Sequence, residues 1–133
     1  MNTKRILALA LAAALIGCGP AAPKQSKVSG TVKFDGAPLA KGEIIFASAT
    51  GGAPSMAAVN DGKFELEATV GKNRVEVRAM RVSKTAPKNT GGPGSESAGR
   101  DENYIPDRYN DNTTLSAEVK SNEANKFDFD LKK

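Results

Sequence analysis

Apolar and polar residues alternate along much of the chain from residue 28 onward. In the segment KVSGTVKF, every second residue from Val28 to Phe34 is apolar or glycine, and the residues between them are polar. Alternation with a period of two places the two sets of side chains on opposite faces of a β-strand. The pattern therefore predicts a first strand at 27–34 with one face turned toward a core.

Six further segments show strand character, and turn sequences such as Asp35-Gly36 and Asp61-Gly62 separate them. The further predicted strands are 42–48, 56–60, 63–67, 73–82, 113–120 and 126–131. Their predicted inward residues are Ile44, Phe46, Phe64, Leu66, Val75, Val77, Ala79, Leu115, Ala117, Val119, Phe127, Phe129 and Leu131. No segment after residue 27 has apolar residues at helical spacing over ten residues. The prediction is an all-β domain, a single antiparallel Greek-key β-sandwich of about seven strands.

The alternation is interrupted in two places. Its phase is lost at Met80–Val82, where we expect a β-bulge. Residues 83–103 then contain mainly glycine, serine, proline and charged side chains, with almost nothing to bury. A stretch of this length and composition predicts a long flexible loop, which is either disordered or a functional excursion.

The N-terminus has a different character from the rest of the chain. Lys4 and Arg5 precede an uncharged apolar run at 6–17, which is shorter than the roughly 20 residues that a transmembrane helix needs. A basic start followed by a short apolar run is typical of a secretory signal peptide. The predicted organisation is a signal peptide at 1–17, a flexible tether at 18–27 and a sandwich domain at 28–133.

The only cysteine follows the apolar run. Leu15-Ile16-Gly17-Cys18 resembles the lipobox of bacterial lipoproteins, which consists of an aliphatic residue, a tolerant position, a small residue and a cysteine. The resemblance implies cleavage between Gly17 and Cys18, diacylglyceryl attachment to the Cys18 sulfur, and acylation of the new amino group. It therefore implies an exported protein that is lipid-anchored in the cell envelope. The glycine that follows the cysteine, in place of aspartate, favours the outer membrane over the inner one.

A second resemblance covers nearly all of the chain after the tether. The segments VSGTVKFDGAPLAKGEIIF and VNDGKFELEATVGKNRVEV are similar to carboxypeptidase regulatory-like domains, which are small transthyretin-like β-sandwiches. The tail YIPDRYNDNTTLSAEVKSNEANKFDFDL resembles the end of bacterial lipoproteins that contain this domain. The matching positions are Gly30, Val32, Asp35, Gly36, Pro38, Leu39, Gly42, Phe46, Asp61, Gly62, Phe64, Gly71, Val75, Val77, Ile105, Pro106, Tyr109, Asn110, Leu115, Phe127, Phe129 and Leu131. Asn60 differs, since an aspartate is frequent there. The resemblance implies an accessory module without catalytic residues.

Charge and composition narrow the function further. The formal net charge of +4 falls to +2 when Lys4 and Arg5 leave with the signal peptide, and no run of like charges exists. We therefore expect no nucleic-acid partner. The chain has no histidine, its cysteine serves the anchor, and no phosphate-binding glycine motif is present. We expect neither enzymatic activity nor a cofactor.

One acidic and aromatic segment, RDENYIPDRYNDN, is a candidate binding site. Its candidate residues are Asp101, Glu102, Tyr104, Asp107, Tyr109 and Asp111. The carboxylates would suit calcium, although their spacing is not that of an EF-hand, and the tyrosines would suit stacking on a sugar or peptide. Alternatively, the acids are solvated loop charges, and Ile105 and Tyr109 fasten the returning chain to the sandwich rim.

The expected function follows from the anchor and the absence of catalytic groups. We expect a non-catalytic cell-envelope lipoprotein that acts as a structural or protein-interaction module, attached to the membrane through its lipid. Its expected partner is an envelope protein or a glycan. The alternative is an envelope ligand-binding module, for carbohydrate or calcium, that uses residues 83–112.

Overall fold

The structure is a computed structural model, and it describes residues 21–83 and 101–133. The predicted signal peptide at 1–17, Cys18 and most of the predicted loop at 83–103 lie outside the described residues. Cleavage, lipid attachment and the flexibility of the glycine-rich part of the loop therefore stay predictions.

The described residues form ten β-strands and one short 3₁₀ helix, at Asp107–Tyr109. The strands are β1 Gln25–Phe34, β2 Ala37–Pro38, β3 Lys41–Ser48, β4 Ser55–Asn60, β5 Lys63–Thr69, β6 Gly71–Arg78, β7 Met80–Val82, β8 Asp101–Asn103, β9 Ser116–Val119 and β10 Asn125–Leu131. Within the two described ranges, no helix has the length and apolar character needed to cross a membrane. The predicted all-β class is confirmed.

Seven of these strands form a curled sheet in the order β10-β1-β5-β4-β3-β6-β9, and β2 pairs with β1. The order β6-β3-β4-β5 is that of a Greek key, in which the fourth strand returns beside the first. One pair departs from the predicted antiparallel arrangement, because β1 and β10 run parallel. Alternation along a single strand identifies its buried face but not the direction of its neighbour.

The sheet folds into two halves that face each other. Strands β4 and β5 are joined by a single registered pair, Asn60 with Lys63. One half consists of β10, β1 and β5, and the other of β4, β3, β6 and β9. The Phe46 ring from β3 lies 6.1 Å from the Phe64 ring and 6.5 Å from the Phe129 ring, both in the opposite half. These contacts across the interior give the fold its sandwich-like character.

The predicted inward residues form the core. All of those on β3, β5 and β6 are buried, as are Ala117, Val119, Phe129 and Leu131, whereas Leu115 and Phe127 are partly buried against the same cluster. Both Asp-Gly turns have positive φ at each central residue, with 51° at Asp35 and 49° at Asp61. These are the angles of type I′ hairpin turns, as the dipeptides predict.

The prediction of a bulge at Met80–Val82 is wrong, because these residues form a separate strand. After Ala79 the chain leaves the main sheet, and β7 pairs with β8 in an antiparallel ribbon that joins Met80 to Asn103 and Val82 to Asp101. The predicted loop is accordingly too long at its end, since 101–103 are strand residues. Met80 and Val82 are each 62% exposed. Because neither side chain is buried, this strand shows no alternation of buried and exposed residues.

The strand directions give the sandwich two ends. The entry end is where β1 and β10 begin and β5 and β9 finish, so it contains Gln25 and the turn at 120–124. The far end is where β1 and β10 finish, and it contains both Asp-Gly turns and the β7–β8 ribbon. The candidate residues at 101–111 therefore lie at the opposite end from the point where the tether joins the domain.

Candidate functional site

The candidate segment returns from the β7–β8 ribbon to the core at the far end. The Tyr104 N–H donates to the Ala79 carbonyl over 3.0 Å, so the chain comes back to the point where it left the main sheet. The Asn103 Oδ1 atom accepts from the N–H groups of Ala79 and Ile105, at 3.1 and 3.2 Å. The next side chain, Ile105, is 2% exposed and belongs to the core. The segment is thus fastened to the sandwich on both sides of Tyr104.

Asn110 holds the following turn together. It is 1% exposed, and its Nδ2 donates to the carbonyls of Ile105 and Pro106 at 3.0 and 3.2 Å. Its Oδ1 accepts from the Asp111 N–H at 2.7 Å. The side chain therefore satisfies backbone groups before and after the 3₁₀ helix. Asn110 matches the family pattern but is not among the predicted site residues, because its neighbours in sequence do not distinguish it from the exposed Asn112.

The two candidate tyrosines are engaged within the domain. The Arg81 guanidinium lies 5.3 Å from the centroid of the Tyr104 ring, and the Phe34 ring meets it edge-on at 5.7 Å. The Arg108 guanidinium lies 5.1 Å from the Tyr109 centroid. One face of each ring is therefore covered by an arginine. Both rings also pack partly buried against the core, which favours the anchoring alternative over a stacking platform.

The four candidate carboxylates do not converge on one point. Glu102 accepts a hydrogen bond from Arg81 at 2.8 Å, and this bond lowers the pKa of Glu102 below its usual value of 4.5. Asp111 pairs with Arg78 at 2.8 Å, and Asp101 and Asp107 are exposed. Among residues 21–83 and 101–133, no group of three or more acidic, cysteine or histidine side chains is placed to hold a metal ion. The arrangement is one of separate ion pairs rather than a calcium cradle.

A set of charged side chains on the outer face of β6 joins the segment to the sheet. Glu76 pairs with Arg74 at 3.0 Å and with Arg78 at 3.1 Å. Arg74 also donates to the backbone carbonyls of Asn110 and Asp111 at 3.3 and 2.9 Å. The Glu76 side chain is only 14% exposed, whereas Arg74 and Arg78 are 48% and 38% exposed. Together they form a network that sequence reasoning did not foresee, although the Arg-x-Glu-x-Arg spacing places all three on one strand face.

The concave surface beside this segment is formed by other residues. A cavity of about 360 Å³ is lined by Lys41, Gly42, Glu43, Arg78 and Met80. None of the six candidate residues lines it. The far end therefore holds a cleft and a fastened segment side by side, and the candidate residues belong to the fastened segment.

Tyr109 provides a direct test of this anchoring. Its hydroxyl accepts from the Lys132 N–H at 3.0 Å, and this bond, followed by the Arg108 side chain, lowers the pKa of Tyr109 below 10.0. Because the folded pKa is depressed, the stabilisation is complete above the unfolded pKa and is lost as the pH falls through the folded value. A Tyr104→Phe variant keeps Tyr109 as its single tyrosine, and we expect its phenolate absorbance to titrate below pH 10.0. The denatured variant should titrate at the ordinary value, and equal midpoints in the two states would contradict the contact.

Asn110 provides a test by stability. We expect Asn110→Ala to lower the free energy of unfolding by roughly 2–3 kcal/mol, because buried carbonyls and an N–H lose their partners. Asn112→Ala is the matched control, since that side chain is exposed two residues away, and it should cost less than about 0.5 kcal/mol. Urea denaturation of both variants measures the difference. Equal values for the two would show that the turn does not depend on Asn110.

Comparison with known proteins identifies no similar protein. No protein-family model matches the sequence, and neither a curated protein nor a solved structure matches it. The function therefore has to be inferred from the residues and contacts described above. At the far end, these contacts are those of a segment fastened into the fold.

Proposed function

We propose that the protein is a non-catalytic lipoprotein of the bacterial cell envelope that acts as a structural or protein-interaction module. The observation that carries the proposal is the run Leu15-Ile16-Gly17-Cys18 after a basic and then apolar N-terminus. A cysteine sulfur is the nucleophile that thioether formation requires. Two or more acyl chains anchor a protein stably, whereas a single chain does not.

The position of Cys18 relative to the domain supports an anchoring role. β1 begins at Gln25, so residues 18–24 form the connection. Fully extended, they span at most roughly 23 Å at about 3.3 Å per residue. The entry end of the sandwich would thus stay close to the bilayer. The far end, with its ribbon and cleft, would be free to reach further out by up to the length of the strands.

The contacts at the far end favour an interaction module over a small-ligand site. Glu102 and Asp111 are paired with arginines, and Tyr104 and Tyr109 each have one face covered. These groups stabilise the domain itself, which leaves the carbohydrate- or calcium-binding alternative with less support. The Greek-key order of the sandwich supports the resemblance to carboxypeptidase regulatory-like domains, whose members are accessory modules. An envelope protein is the partner that fits best.

Lipid attachment is the step to test first. When the full chain is expressed in a Gram-negative host with a tagged fatty acid, we expect the protein to incorporate the tag and to sediment with the membranes. Cys18→Ala should abolish both, because no other residue of the chain offers a thiol. Gly19→Ala is the control, since it lies next to the cysteine but outside the lipobox, and it should keep the tag. Cys18→Ala protein that still carries the tag, or wild-type protein without it, would refute the proposal.

A further inference from the structure

In the described part of the chain, strand β4 is fully paired on one side and almost unpaired on the other. It pairs with β3 along its whole length, from Asn60 with Lys41 to Ser55 with Phe46. On the other side it pairs with β5 only through Asn60 and Lys63, and no further registered pair joins β4 to another strand of the described chain. Residues 55–59 therefore form an edge where the sandwich opens between its two halves.

The hairpin geometry identifies the backbone groups on this edge. Asp61 and Gly62 both have positive φ, of 49° and 73°, so they form a two-residue type I′ turn whose flanking residues exchange hydrogen bonds. The N–H and C=O of Asn60 thus point toward β5. Because these groups alternate in direction along a strand, those of Met56 and Ala58 point to the same side. Within residues 21–83 and 101–133, no registered strand partner faces the backbone groups of these two residues.

This edge lacks the protection that the other edges have. Exposed sheet edges are commonly guarded by charged residues or proline. The outer strand β10 carries Lys126, Asp128 and Asp130, all exposed, and β9 carries the exposed Glu118. Strand β4 has neither a charge nor a proline, and its Met56 side chain is 59% exposed. An unguarded edge with an exposed apolar side chain favours association.

We propose that β4 is a dimerisation strand, which pairs antiparallel with β4 of a second copy and places Ala57 on the two-fold axis. In this register Met56 meets Ala58 of the second copy, and Ala58 meets its Met56, so all of the free edge groups are hydrogen-bonded. A large side chain then lies opposite a small one, and no charges oppose each other. A strand that complements itself in this way gives a closed two-fold dimer, which makes a second copy the occupant rather than an unrelated peptide.

The inference goes beyond the proposed function and does not depend on it. Antiparallel pairing points the two entry ends in opposite directions. If both copies are anchored to one membrane, their strands must therefore run along its surface. Tethers of roughly 23 Å allow that arrangement.

Disulfide trapping tests the register. At a non-hydrogen-bonded antiparallel pair the Cα atoms are about 4.5 Å apart, which suits a disulfide. In a full chain that carries Cys18→Ser, we expect Ala57→Cys to form a covalent dimer under mild oxidation. The control is Ala58→Cys, whose own symmetry mate lies two residues further along and beyond the roughly 7 Å limit for a disulfide. We expect it to cross-link at least tenfold more slowly.

Solution mass tests the association itself. We expect light scattering to show a dimer for the Cys18→Ser chain. Met56→Lys should weaken dimerisation at least tenfold, because it adds a charge to each edge and places the two lysines diagonally across the paired strands. Met56 is exposed and its N–H lies outside the β3 ladder, so this variant should keep the melting temperature of the dissociated parent chain. A parent chain that is monomeric throughout, a dimer unaffected by Met56→Lys, or equal cross-linking at 57 and 58 would each overturn the proposal.

Discussion

The structure depends on packing between two half-sheets whose strand ladder is nearly interrupted between β4 and β5. Asn60 and Lys63 form the one registered pair between β4 and β5, so the ladder itself does little to hold the halves together. The Phe46 ring instead contacts Phe64, Phe127 and Phe129 across the interior. Fully burying an aromatic side chain contributes on the order of 2–3 kcal/mol. β4 and β5 diverge after this pair, which makes room for the core between the two halves. The same divergence leaves one side of β4 without a registered partner among the described strands, and this is the side that we propose forms the dimer.

At the far end, the chain leaves the main sheet and returns to it. The polypeptide leaves the main sheet at Ala79 and comes back through Tyr104, which hydrogen-bonds to Ala79, and Ile105, which enters the core. Asn110 then satisfies the backbone of the turn, and arginines from β6 hold its outer surface. A segment rich in acids and tyrosines is thereby used for internal contacts. This use explains why residues that look suited to ligand binding have partners within the domain.

Strands and turns that depend on neighbouring residues can be predicted from this sequence. Period-two alternation identified the core strands, and the Asp-Gly dipeptides identified both type I′ turns, because these features need only neighbouring residues. The parallel pairing of β1 with β10 does not follow from the local pattern, because strand direction depends on residues distant in sequence. The pattern predicts a bulge and the end of a loop where the β7–β8 ribbon lies, because Met80 and Val82 are exposed and show no alternation of buried and exposed residues.

For the candidate site, the sequence indicates which residues are unusual but not which contacts they make. The acids and tyrosines make this segment unusual in composition, and the contacts favour the alternative in which Ile105 and Tyr109 fasten the returning chain. What the sequence could not indicate was their partners, because Arg74, Arg78 and Arg81 come from another part of the chain. Asn110 differs from Asn112 in its burial and in the backbone groups that its side chain bonds, and neither difference is visible in the sequence around them.

Native-state amide hydrogen exchange tests most directly whether the far-end segment belongs to the fold. The Tyr104 and Ile105 amides donate to Ala79 and Asn103, so they should exchange as slowly as the Val75 amide in the core strand β6. That result would show that the segment opens only when the sandwich unfolds. If these two amides exchanged as fast as the amide of the exposed Gly52, the result would contradict the account. It would show that the segment is a mobile loop and not part of the fold.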